Sequence, residues 1–327
     1  MIREVRLPNL IQSGYGIGSL LLLYLLSLTG CSQRELCYDH SHESPVLIEF
    51  DWSQAPGATP NTMVVWFFST TSRESYRFEL TGDGTATRSQ FDSYIKVRPG
   101  TYSVLCHNGT TDNNSEEGGT FEEYRIVTYE DGVLSPMNRS DMAPLPGNAD
   151  NEPVRAQASK LYAHTLDEPV FIDPGAGGDK HICFTPVEVT SVYDVTITGV
   201  KNLRDDTEAS AVITGLAEGW NPASSRPTGM EVTVPFALNR YGEETLKGSL
   251  VTFGDNAPHG VRHFLRVYTS YKYYYDFDVT DILHKAGNSR HIEINLNGLT
   301  LPPDNQGAGM SPGVNEWEDA DNIELPM

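Results

Sequence analysis

The chain has 327 residues, 44 of them acidic and 23 basic, for a formal net charge of −21, and a hydrophobic content of 39% sufficient for packed cores. With no basic block to neutralise phosphates, that balance excludes nucleic acid as a partner and suits a self-repelling surface protein. Four cysteines without a C-x-x-C pair exclude a disulfide scaffold and a zinc ribbon.

Arg3 and Arg6 open the chain, an apolar segment runs from Leu20 to Leu28, and Thr29, Gly30 and Cys31 follow. This is the order of charged, hydrophobic and cleavage regions in a secretory signal. The apolar run falls short of the roughly 20 residues a transmembrane helix needs. Leu28-Thr29-Gly30-Cys31 reads as a bacterial lipobox. Residues 1–30 are therefore expected to be a lipoprotein signal peptide cleaved after Gly30, with Cys31 lipidated and 31–44 a tether. At about 0.8 kcal/mol per buried methylene, two or three acyl chains hold a protein on a membrane essentially permanently. Cys37, Cys106 and Cys183 then remain as an odd number of thiols. Cys106 and Cys183 lie in apolar runs and are expected to pack as small buried hydrophobes.

Strand signals begin after the tether. From Ile48 the sequence alternates, with Ile48, Phe50 and Trp52 on one face and Glu49 and Asp51 on the other. Met63–Phe68 is continuously apolar, as in a strand covered on both faces. Ser75–Leu80 alternates again, and Arg98-Pro99-Gly100-Thr101 is a turn feeding the strand Tyr102–Cys106. Thr110–Gly119 is polar and acidic and reads as a loop before a strand in Phe121–Tyr129. Leu134–Pro153, rich in Pro, Asn, Asp and Gly, reads as a long exposed excursion. Leu161–Ile172 returns to strand character, and Ile182–Phe184 is expected to pair with it.

A second domain is expected to open near Pro186, giving domains at 45–186 and 187–327. Val192–Val200, Ala211–Leu216, Glu231–Leu238 and Leu246–Phe253 read as its first strands, with Pro235 marking an edge or bulge. In Phe264–Val279 the odd positions Leu265, Val267, Tyr271, Tyr273, Tyr275, Phe277 and Val279 form one apolar face, which predicts a hairpin bent around Ser270. A helical turn over Val279–Ala286 and strands at His291–Leu296 and Leu299–Leu301 complete the core. Ile323-Glu324-Leu325 in the acidic tail reads as a last strand. Many short strands with almost no helical periodicity predict an all-β chain of two tandem β-sandwich domains.

Motifs for chemistry are scarce. No G-x-S-x-G, Walker loop, dinucleotide fingerprint or S-x-x-K occurs, so no catalytic residues, no enzyme activity and no cofactor are expected. His40 and His42, near Asp39 and Glu43, could be imagined to hold zinc but stand side by side on a tether and read as a solvated polar cluster, and His259 and His263 in Pro258–His263 lack a third ligand at metal-binding spacing, so no metal site is assigned. Asp112–Glu117 lacks the glycine and terminal glutamate of a calcium loop. Tyr268 and Tyr274, on the polar face of the Phe264–Val279 hairpin, are the candidates for a sugar-binding surface.

Several phrases recur in a known order: the lipobox with Glu35–His40, then Phe50-Asp51-Trp52, Pro99-Gly100-Thr101-Tyr102 with Asn108, Gly215–Gly219, Phe253-Gly254 with Pro258-His259-Gly260, and the ending around Trp317-Glu318. Together they resemble a family of Bacteroidales lipoproteins of unknown function within the fimbrillin superfamily, the subunits and anchors of type V pili. That resemblance implies two transthyretin-like, Greek-key sandwiches, an outer-membrane lipoprotein at the cell surface, and assembly with other pilin-like subunits by strand exchange. Val46–Trp52, with Ile48, Phe50 and Trp52, would be the first strand, removable or retained, the arginine-directed cuts open to the chain being at Arg73 or Arg88, which follow Trp52, or at Arg34, which lies ahead of it. Ile323 and Leu325 would belong to the donated strand. A pilus anchor or accessory subunit contributing to adhesion, with a host or bacterial surface glycan or protein as further partner, is the leading expectation. A stand-alone glycan-binding lipoprotein is the alternative.

Overall fold

The computed structural model describes residues 43–82, 90–109, 111–147, 149–173, 180–255, 260–302 and 317–319. Cys31, Cys37, His40, His42, His259, Arg34, Arg88, Ile323 and Leu325 lie outside them. Residues 43–327 form one compact unit. None of the helices described is long and apolar enough to cross a membrane.

The first half contributes β1 (Ser44–Phe50), β2 (Thr62–Ser69), β3 (Ser75–Thr81), β4 (Ser93–Val97), β5 (Gly100–Asn108), β6 (Asn114–Glu117), β7 (Arg125–Thr128), β8 (Tyr162–Thr165), β9 (Val170–Ile172), β10 (Lys180–Phe184) and β11 (Val187–Glu188). The second contributes β12 (Ser191–Lys201), β13 (Ala209–Asn221), β14 (Arg226–Arg240), β15 (Thr245–Thr252), β16 (Phe264–Thr269), β17 (Tyr273–Asp278), the helical turn α1 (Thr280–His284), β18 (His291–Thr300) and the short β19 (Glu318–Asp319). The fold is all-β.

The two halves repeat one topology. In the first, β1 lies between β4, antiparallel, and β10, parallel, while the β2–β3 hairpin is extended through β5 to β8 and β9. In the second, β12 lies between β15, antiparallel, and β18, parallel, while the β13–β14 hairpin is extended through β16 to β17. Each pair of sheets closes over its own core, because period-two alternation turns every second side chain inward. Val46, Ile48, Phe50, Val65, Phe67, Val104 and Phe184 fill the first. Tyr193, Val195, Ile197, Ile213, Phe236, Leu250 and Ile294 fill the second. One link has no counterpart among the described residues of the first half: β14 also pairs with β15, at Asn239↔Lys247 and Arg240↔Leu246, joining the two sheets of the second half.

Four local expectations change. Thr110–Gly119 is not all loop: β6 pairs with β7, and β7 with β13 of the second half. Two of its acidic side chains are paired: Arg77 Nη2 donates to Glu116 at 2.9 Å, Trp66 Nε1 to Glu116 at 3.1 Å, and Arg125 bridges the exposed Glu117 at 2.7 Å. β10 pairs with β1 and not with Leu161–Ile172, in the register Ile48↔Ile182 and Phe50↔Phe184, which stacks Phe50 on Phe184 with centroids 5.7 Å apart. Alternation along β10 then turns Cys183 outward, whereas Cys106 is fully buried as expected and its thiol pKa is pushed up by burial. Finally, the 134–153 excursion covers rather than protrudes: Leu134 and Met137 pack with Val212 and Tyr268 on the outer face of β13 and β16.

A further cluster ties the halves together, with Phe68, Leu105 and Ala163 from the first packed on Val189, Trp220 and Phe253 from the second through Tyr124 and Ile126.

Candidate functional site

The first strand is the element that the expected strand exchange would act on. β1 is hydrogen-bonded along both edges. Val46 and Ile48 are wholly buried, and Phe50 and Trp52 nearly so. Trp52 packs against Phe50, Phe91 and Tyr162 with centroids 6.1 to 6.4 Å apart. The ladder continues past β1, where Asp51 N donates to the Phe184 carbonyl at 2.7 Å. At roughly 1.5–3 kcal/mol per buried side chain, these four contribute on the order of 10 kcal/mol as an upper estimate. That is comparable to the whole stability of an ordinary domain.

The position of basic residues constrains any cut. Ser53–Asn61, between Trp52 and β2, contains neither Arg nor Lys. Arg73 lies in the turn between β2 and β3, so cleavage there would detach β2 together with β1. β2 is paired with both β3 and β5 and contributes the fully buried Met63, Val65 and Phe67.

Of the two tyrosines expected to form an aromatic surface on the β16–β17 hairpin, one is closed off and the other half-buried. Tyr268 has no exposed area; its hydroxyl donates to the Pro144 carbonyl at 2.7 Å, and its ring meets Trp317 edge-on at 5.4 Å. Burial pushes its phenol pKa up. Tyr274 is half-buried beneath the Arg266 guanidinium, 4.1 Å from the ring centroid. That guanidinium also donates to Asp276 at 2.6 Å and to the Pro144 carbonyl at 3.0 Å. Alternation placed both tyrosines correctly on the face opposite the core; the covering of that face comes from a segment more than 120 residues earlier. The tail takes part in it. Trp317 Nε1 donates to the Met142 carbonyl at 2.8 Å, and β19 runs parallel to β17 with Tyr273↔Glu318 and Tyr274↔Asp319.

His263 gains the partners its sequence neighbourhood lacked. It is wholly buried at the start of β16, and its Nε2 lies 3.1 Å from His284 Nε2 and 3.4 Å from Asp255 Oδ2. His284 Nε2 is also 3.4 Å from Asp255 Oδ2. Burial lowers the His263 pKa, but Asp255 and the Thr214 carbonyl outweigh it, and the net shift is upward. A register shift in β13 between Ile213 and Leu216 presents Thr214 and Gly215 to this imidazole. Gly215 has φ +74°, and a Cβ there would lie 2.8 Å from His263 Nδ1, so the close approach requires glycine. Sequence spacing could not reveal the set, because its members come from three separate segments.

The described fold is thus made of β-sandwiches of repeated topology. Residues 30–237 match the family described as a domain of unknown function, DUF5119, and the chain belongs to that family. Among solved structures, a candidate adhesin from Bacteroides ovatus superposes with a TM-score of 0.59 at 17% identity, over 84% of this chain and 99% of that one. A candidate polysaccharide-binding protein (DUF1812) from Bacteroides thetaiotaomicron gives 0.50 at 9% identity, over 79% and 91%. The fimbrial anchor protein Mfa2 from Porphyromonas gingivalis gives 0.49 at 13%, over 78% and 90%. At these identities the likeness is one of fold. No curated protein matches the chain.

Proposed function

We propose that this protein is a non-enzymatic, lipid-anchored surface protein of fimbrillin type, serving as the anchor or an accessory subunit of a pilus and contributing to adhesion. The observation that carries the reading is β1. It is the middle strand of its sheet, its side chains fill the first core, and no basic residue separates it from β2. An arginine-directed protease therefore has no site at which to remove β1 alone. A retained first strand leaves no vacated groove for a neighbour's strand and, with Arg34 uncut, leaves Cys31 joined to the folded protein. Such a subunit gives a strand and receives none, which puts it at an end of an assembly, at the outer membrane. The donated strand would be the C-terminal segment, with Ile323 and Leu325 entering the neighbour's groove. β-Augmentation supplies the affinity through main-chain bonds and the register through alternate side chains. The glycan-binding alternative is weakened, because Tyr268, one of its two platforms, is closed off.

The test is intact mass spectrometry of the protein extracted from its own cells, joined to cross-linking. The expected result is an acylated Cys31 at the N-terminus, β1 still attached, and cross-links from the C-terminal segment to pilin-like subunits. An unmodified Cys31 thiol, or an N-terminus beyond Trp52, would overturn the reading.

A further inference from the structure

We propose that Asp255, His263 and His284 form a binding site for a tetrahedral divalent transition metal, zinc in the first instance, that staples three segments of the second half together. Asp255 lies in the loop after β15, His263 at the start of β16 and His284 at the last position of α1. Their three ligand atoms form a triangle with edges of 3.1, 3.4 and 3.4 Å. Ligands about 2.0–2.1 Å from a tetrahedral zinc stand about 3.3 Å from one another. An ion just out of the plane of this triangle would thus meet all three atoms at bonding distance without moving a side chain.

The protonation pattern agrees. His263 Nδ1 is 2.9 Å from the Thr214 carbonyl, which can only accept, so the ring proton of neutral His263 sits on Nδ1 and the Nε2 lone pair points at the other two ligands. Backbone-carbonyl support of the far nitrogen is the usual second partner of a metal-bound histidine.

The support is also built in. His263 N donates to Thr280 Oγ1 at 2.9 Å, Val279 N donates to the His263 carbonyl at 2.9 Å, and Phe264 N donates to Thr214 Oγ1 at 3.0 Å, so the strand, the helical turn and the β13 bulge hold one another in place. The side chains of Asp255 and His284 are about a quarter exposed while His263 has no exposure, which leaves the fourth coordination position toward solvent, for a water.

Equilibrium dialysis of the intact protein against zinc, with a parallel cobalt titration followed by visible absorption, tests the site. The expected result is one zinc per chain, tetrahedral cobalt bands, and a thermal midpoint that rises with zinc concentration. His284→Ala, at a partly exposed position, should leave the metal-free midpoint nearly unchanged and weaken zinc binding by about 100-fold or more, the upper end of what losing a mere supporting contact does. Asp255→Asn, which keeps the side-chain shape, should weaken binding too and abolish the zinc-dependent rise. Absence of stoichiometric zinc from the unaltered protein, equal affinity in both variants, or binding lost only when His40 and His42 are replaced would each overturn the proposal.

Discussion

The two halves share a topology and differ in how their first strand is held. β12 is embedded in the chain, entering from β11 and leaving toward β13, so its place between β15 and β18 is enforced from both ends. β1 has the same antiparallel and parallel neighbours, but only Asp51–Asn61 connects it to the rest of the described fold. The second half is also closed by the β14–β15 pairing that joins its sheets. The same arrangement of strands is thus permanent in one half and formally separable in the other. Buried side chains, rather than covalent continuity on both sides, keep β1 in place.

The largest expected effect comes from deleting Ser44–Phe50. Losing on the order of 10 kcal/mol of burial should leave the first half unfolded while the second retains its near-ultraviolet circular dichroism. A synthetic peptide spanning Ser44–Trp52, supplied in trans, should restore the signal if the strand is separable, whereas no rescue would show that the first half folds only with β1 attached. Phe50→Ala should destabilise the first half by about 3–5 kcal/mol in urea unfolding. Phe236→Ala should do the same to the second, and unequal slopes would show that the halves unfold independently. Glu218 is buried between Arg155 Nη2 at 2.8 Å and Arg125 Nη1 at 3.2 Å, tying the first half to β13. Glu218→Ala leaves the Arg155 guanidinium without its carboxylate and Arg125 with Glu117 alone, and should cost about 3 kcal/mol, lost from both halves at once.

Smaller effects separate local from shared stability. Tyr268→Phe removes one hydrogen bond between β16 and Pro144 of the 134–153 segment and should cost about 1 kcal/mol, a smaller loss than that of the Glu218 contacts. His107 is buried against Tyr124 Oη and the Asn108 carbonyl, both at 2.7 Å, and burial draws its pKa below the ordinary 6.5. The unfolded chain then binds a proton that the folded protein does not, so stability should fall as the pH drops below about 6.5 and level off once the folded value is passed. His107→Gln should flatten that slope in the first half, and an unchanged slope would assign it to other groups.

Much of the core was legible from alternation. Ile48, Phe50 and Trp52, the buried set Tyr193, Val195 and Ile197, and the hairpin turning between Thr269 and Tyr273 all stand where two-residue periodicity put them. Asn114–Glu117 shows where periodicity had nothing to report: four polar residues become a strand because β7 offers them backbone partners and Arg77 and Arg125 accept their charges. Two tandem sandwiches were expected, but the strand pairings that repeat between them were invisible to periodicity, since they are a property of pairing rather than of residue type. His263 was noticed for its composition and set aside for its spacing, and its two partners became neighbours only on folding.

What the sequence determined by itself is the inward set of the clearly alternating strands, the all-β character and the absence of common catalytic motifs, because these follow from local alternation and composition. Tertiary structure alone decided which strand lies beside which, that β1 runs parallel to β10, that Tyr268 is covered, and that Asp255, His263 and His284 converge. Alternation reports only that a side chain faces inward along its own strand. What lies across from it, or over its far face, is set by hydrogen-bonding and packing partners that can be more than 100 residues away.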